Sequence, residues 1–134
     1  MKILLDTHIA LWATLKTDAL SARAKELLLS SGSEVFYSVI SIWEVSLKHS
    51  INPENMEITA SEFRQLCQDS GFIEIPLEYH HILGLDRLTQ KEGFPVHKDP
   101  FDRLLLAQSI TEQMDFMTHD AKISTFDTSN IIEV

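Results

Sequence analysis

Five acids in this chain stand where a side chain could reach a ligand: Asp6, Glu44, Asp99, Asp102 and Asp120. Asp6 follows the apolar run Ile3-Leu4-Leu5, and Asp120 follows Phe116-Met117-Thr118-His119. Glu44 lies in Ile42-Trp43-Glu44-Val45, while Asp99 and Asp102 share His97-Lys98-Asp99-Pro100-Phe101-Asp102-Arg103. Carboxylates within about 4–6 Å of one another repel and raise each other's pKa. Such a cluster persists if some acids hold protons or if a cation sits among them. Ligation by carboxylates alone is hard-cation chemistry, which favours Mg²⁺ or Mn²⁺ over zinc. Acids on such a cation point to phosphoryl chemistry: the ion polarises a phosphodiester and acidifies water, and a neighbouring carboxylate can take the proton.

Each acid also has a local explanation. Asp6 could equally cap the helix after it. Ser41-x-x-Glu44 has the form of a capping box, which still leaves Glu44 at the strand-end edge. Asp99 before Pro100 reads as an N-cap with proline at the first helical position. Asp102, at the third helical position, suits the helix dipole and can project into a site, so it is the better ligand candidate of the two. Lys98 and Arg103 could pair with these acids or touch a substrate phosphate; Thr7 and Thr118 are further candidates for substrate contact. His8, His49, His80, His81, His97 and His119 are scattered, with no His-x-x-x-His pair, so a histidine zinc site is not expected. His80-His81 is expected at the surface. No phosphate-binding glycine loop and no serine or cysteine nucleophile motif is present.

The elements that must position these acids can be read in order. Residues 2–6 suit a strand buried on both faces, because the apolar run does not alternate. Helices are expected over 8–15 and 21–30, with Asp18 or Ser21 as cap and Leu27-Leu28-Leu29 facing inward or forming a dimer surface. Val35 to Val39 is β-branched and aromatic, hence a second strand. A helix capped by Ser41 then runs to Ser50, and another covers 60–69, stopped by Gly71. Residues 72–75 form a third strand, 78–88 a helix interrupted near Gly84, and 91–97 a loop. A helix follows Asp99 to Gln113, then a strand over 115–118, a turn over 121–125 and a last strand over 131–134. Trp12, Trp43 and Phe101 are expected in the core, as are the faces carrying Leu11 and Leu105. Strands alternating with helices imply an α/β fold with a parallel sheet and helices on both faces. Ligands of such sheets bind at the carboxyl ends of the strands, where Asp6 and Asp120 lie.

Composition bounds the rest. With 134 residues, 44% hydrophobic and 23% charged, the chain suits one globular domain. No apolar run approaches the roughly 18 residues of a membrane span, and the start does not have the form of a signal peptide. Cys67 is the lone cysteine, which leaves no internal disulfide, so a cytosolic, cytoplasmic location is expected. The net charge of −9 opposes nucleic-acid binding by bulk electrostatics. It does not exclude a nuclease, because a bound cation inverts charge locally. It also favours a basic partner.

Taken together, Leu4-Leu5-Asp6-Thr7-His8, Ser41-Ile42-Trp43-Glu44, His97 to Leu104 and Thr118-His119-Asp120 resemble a PIN domain, and more narrowly a VapC-type ribonuclease toxin of a toxin–antitoxin pair. The resemblance covers nearly the whole chain as a single domain. It implies a three-layer α/β/α fold around a central parallel sheet of four to five strands. It further implies an acidic site of Asp6, Glu44, Asp102 and Asp120 with Asp99 beside it, and Mg²⁺- or Mn²⁺-dependent cleavage of RNA, often tRNA or rRNA. A homodimer and an inhibiting cognate antitoxin are expected with it. The alternative is a PIN-like module that binds without cutting; the presence of every acid opposes it.

Overall fold

A computed structural model of the chain describes residues 1–134. Five strands, β1 (Lys2–Leu5), β2 (Glu34–Ser38), β3 (Ile73–Ile75), β4 (Asp115–Thr118) and β5 (Ile131–Glu133), form one sheet in the order β3-β2-β1-β4-β5. Every pairing is parallel, with Leu5 opposite Met117 at the β1–β4 seam. Six α-helices connect the strands: α1 (Thr7–Leu15), α2 (Ala22–Leu29), α3 (Val39–Ile51), α4 (Ala60–Asp69), α5 (Tyr79–Leu83) and α6 (Pro100–Thr111). This is the expected three-layer α/β/α fold.

The apolar run in β1 is explained by its two faces. Successive strand side chains point oppositely. Ile3 and Leu5 enter one core with Ile9, Ala24, Tyr37 and Phe63, whereas Leu4 enters the other with Ile40, Leu105, Leu106 and Phe116. A strand covered on both sides has no polar face to alternate with. The order of the strands reverses at β1: the chain first builds β2 and β3 on one side, then returns to lay β4 and β5 on the other. The crevice at such a switch point, above the carboxyl ends of β1 and β4, is where open α/β sheets bind ligands.

Several local expectations are corrected. Helix α3 starts at Val39, and Ser38 is its cap, accepting a hydrogen bond from the Ile40 amide at 3.0 Å. Ser41 and Glu44 are therefore no capping box; Glu44 lies in the second turn. A capping box does form from Thr59 with Glu62, at the start of α4. Leu27 and Leu28 pack against the core, but Leu29 is exposed. Phe101 is buried and Trp12 packs on the core's edge, yet Trp43 is 52% exposed and rests on Phe101 with ring centroids 4.7 Å apart. His81 is fully buried, because Glu112 accepts from its Nε2 at 2.7 Å. The expected 78–88 helix is an α-helix only to Leu83, followed by a 3-10 turn over Gly84–Arg87. At Gly84 a Cβ would stand 2.9 Å from Thr111 Oγ1, so the glycine admits α5 close to α6.

Candidate active site

The crevice predicted by the strand order is a cleft of about 480 Å³, and Asp6, Glu44, Asp99, Asp102 and Asp120 all line it. Lys48 is the one lysine or arginine among its walls.

Asp6 leaves β1 as its backbone N–H donates to Met117 O at 2.9 Å, extending the β1–β4 ladder by one bond. It occupies the N-cap position of α1 but makes no side-chain cap bond. Its Oδ2 instead accepts from Thr118 Oγ1 at 2.7 Å. With its proton committed to Asp6, the Thr118 hydroxyl accepts from the Asp120 amide at 3.0 Å. One side chain at the end of β4 thus ties both strand-end acids together. Asp120 Oδ1 also accepts from the Lys122 amide at 2.9 Å.

Glu44 is held from the other side. Thr7 Oγ1 donates to Glu44 Oε1 at 2.7 Å, so Ser41 Oγ, 2.8 Å away, is left as donor to Thr7. Lys48, one turn further along α3, donates its Nζ to Glu44 Oε2. The Lys48 ammonium is pushed up: burial disfavours the charge, but the bond to Glu44 and the charges of Glu44, Asp99 and Asp102 outweigh it. Asp99 caps α6 as expected, accepting from the Asp102 amide at 2.9 Å, with Pro100 at the helix start. Asp102 reaches into the cleft, and its Oδ2 lies 2.8 Å from His97 Nε2.

Burial raises Asp6 above the usual carboxylate range, against the Thr118 bond, and the charge of Glu44 adds to the rise. Burial likewise pushes Asp102 up to about 7, against the His97 bond and with Asp6, Asp99 and Glu44 contributing. Two acids that resist ionising, in a cleft with five, make a set that a divalent cation would relieve. The donors are chiefly carboxylate oxygens, which fits a hard cation. The ligating atoms of His97, Asp102 and Asp120 lie within 4.8 Å of one another, a spacing that one ion could bridge.

The four residues read as substrate contacts are placed differently from one another. Thr7 and Thr118 are buried, with their hydroxyls spent on Glu44 and Asp6; they position acids. Lys98 is exposed on an outer face beside Phe94, Val96, His97 and Lys122, outside the cleft walls; of these, His97 directs its Nε2 to Asp102 of the cleft. Arg103 donates to His97 O at 3.1 Å and lies 5.8 Å from the Phe126 ring centroid. Sequence reasoning gave no role to Lys48 or His97. Lys48 had a signal, the Glu44-x-x-x-Lys48 spacing of a helical ion pair; His97 had none, because its contact depends on how the preceding loop folds back over α6.

Comparison with known proteins agrees with this architecture. The crystal structure of VapBC2 from Rickettsia felis, bound to a DNA fragment from the promoter, contains a chain similar to this one with TM-score 0.67 and 16% identity, covering 99% of this chain and 98% of that one. At that identity the likeness is one of fold. No curated protein matches the sequence. The PIN domain family matches residues 3–128, nearly the full length, and the chain belongs to that family.

Proposed function

We propose that this PIN domain is a VapC-type toxin: an endoribonuclease that hydrolyses RNA phosphodiesters with Mg²⁺ or Mn²⁺ and is silenced by a cognate antitoxin. The observation that carries this reading is the convergence of Asp6, Glu44, Asp99, Asp102 and Asp120 on one cleft at the strand ends. Asp6, Glu44, Asp102 and Asp120 would hold the cation, with Asp99 beside them at the start of α6. A divalent ion there supplies Lewis-acid polarisation of a phosphodiester and acidifies water. The chain's own contribution is to fix the acids. Thr118 sets Asp6 and Asp120, Thr7 and Lys48 set Glu44, and the α6 cap sets Asp102.

The acidic cleft and net charge of −9 suit a basic antitoxin segment. RNA, tRNA or rRNA among it, is the substrate class that accompanies this reading, with a cytoplasmic homodimer as the working form. No helix is long and apolar enough to cross a membrane.

The test is purified antitoxin-free protein with total RNA and Mn²⁺ or Mg²⁺. Asp6→Asn and Glu44→Gln should each lower cleavage by roughly a hundredfold or more, since each removes a charge from the cation's cage. Equal cleavage by both variants and the unaltered chain would refute the assignment. Intact RNA under every condition would favour the PIN-like module that binds without cutting.

A further inference from the structure

We propose that His97 is itself a ligand of the cation, making the centre mixed nitrogen and oxygen and selective for Mn²⁺ over Mg²⁺. The inference rests on the reading of the cleft as a metal centre and goes beyond its acids.

The geometry is specific. His97 Nε2 lies 2.8 Å from Asp102 Oδ2, and these atoms with an oxygen of Asp120 fall within 4.8 Å of one another. Adjacent ligands of an ion bound at about 2.1 Å stand roughly 3 Å apart, so one cation could take both the nitrogen and the oxygen. The residue is also held in place. Its amide donates to Gln90 Oε1 at 3.2 Å, and its carbonyl accepts from Arg103 at 3.1 Å. Its ring stands edge-on to Phe126 at 6.0 Å, with the side chain only 12% exposed.

The two ring nitrogens decide the chemistry. Nδ1 of His97 makes no bond to protein, so it can carry the ring proton and leave the Nε2 lone pair for an ion. The contrast with His81 is instructive, because His80, His81 and Glu112 also bring ligating atoms within 4.8 Å of one another. There Nδ1 of His81 accepts the Glu78 amide at 3.0 Å. The proton must then sit on Nε2, where it points at Glu112 and excludes a metal. In the His97 cluster Nε2 is bonded to Asp102, but Nδ1 has no protein partner, so the ring proton can move there and Nε2 can exchange that bond for a cation. Imidazole suits first-row transition cations, and Mn²⁺, though at the weak end of that series and at home with carboxylates, accepts a nitrogen ligand more readily than the harder Mg²⁺.

The experiment uses the full chain, titrated with Mn²⁺ and separately with Mg²⁺, and pulsed EPR on the Mn²⁺-loaded protein. Nitrogen-14 coupling is expected in the unaltered chain and lost in His97→Gln, whose amide N–H can still serve Asp102 but whose nitrogen has no lone pair for a metal. The substitution should weaken Mn²⁺ binding roughly 10–100-fold and Mg²⁺ binding less. Bound Mn²⁺ without nitrogen coupling, coupling that survives in His97→Gln, or an equal loss for both ions would overturn the inference and leave the acid centre standing. An unaltered chain that binds no Mn²⁺ would overturn the acid centre as well. His8 and His119 also line the cleft, so His8→Gln and His119→Gln should both keep the coupling, which assigns it to His97 even if His97→Gln does not fold.

Discussion

At the scale of single residues, Asp102 sets how the centre responds to pH. Its native carboxyl titrates near 7, raised by burial and by Asp6, Asp99 and Glu44, whereas the unfolded chain releases that proton near the ordinary 3.8. The folded state therefore holds a proton that the unfolded state has lost, and the cation-free protein loses stability as pH rises from about 4 to about 7. Asp6, raised in the same direction, reinforces the trend. Glu112 acts in a different window: its carboxyl is lowered by the bond from His81, so its contribution is lost only as pH falls below the ordinary glutamate range. Thermal melts should thus show a decline between pH 5 and 7.5 that Mn²⁺ reverses. Mn²⁺ affinity itself should rise up to about tenfold per pH unit below 7 and level off above it; a flat titration would remove Asp102 from the ligand set. Thr118→Val tests the tie between the strand-end acids. It keeps the shape but removes the donor to Asp6 and the acceptor for Asp120, so cation affinity should fall roughly 10–100-fold with little change in secondary structure. These ties were beyond a sequence reading. Thr7 reaches Glu44 across 37 positions and Thr118 reaches Asp6 across 112, and hydroxyl bonds between distant segments leave no local pattern.

At the scale of elements, legibility followed the strength of local chemistry. Asp99-Pro100 could be read because an N-cap and a proline start are set by adjacent residues, and the structure keeps both. The start of α3 could not, since Ser38 and Ser41 are both sound caps and only packing chooses Ser38. Helical spacing identified apolar faces but not what covers them. Trp43, Leu47 and Ile51 make a regular stripe on α3 that stays exposed, whereas His81 goes inside because Glu112 meets it 31 positions away. Two substitutions probe this level. Ser38→Ala removes the α3 cap and should cost about 1 kcal/mol, seen as a fall of a few degrees in Tm. Leu105→Asp places an unpaired carboxylate in a position with no solvent exposure. That cost, several kcal/mol, is of the order of a domain's whole stability. Circular dichroism should find the variant unfolded at neutral pH; a native spectrum and melt would mean α6 can turn that face to water.

At the scale of the whole molecule, the sheet could be read from sequence because β1 is apolar on both faces and strands and helices alternate. The order β3-β2-β1-β4-β5 was not legible, since a parallel strand can be added at either edge. Net charge acts at this level too. A basic partner should associate more slowly as salt rises, by about tenfold or more between 50 and 500 mM, because a chain of charge −9 steers it from a distance. Stopped-flow mixing would measure this, and a salt-independent rate would place recognition in apolar contacts.

The reversal of the sheet at β1 also has a consequence in time. Asp6 is made before Thr118 and Asp120, which complete the cleft with it and come 112 and more positions later. At roughly 5–20 residues per second, the nascent chain carries an incomplete acid cluster for about 6–22 s after Asp6 is made. Topology alone therefore delays the assembly of the cleft until β4 has emerged.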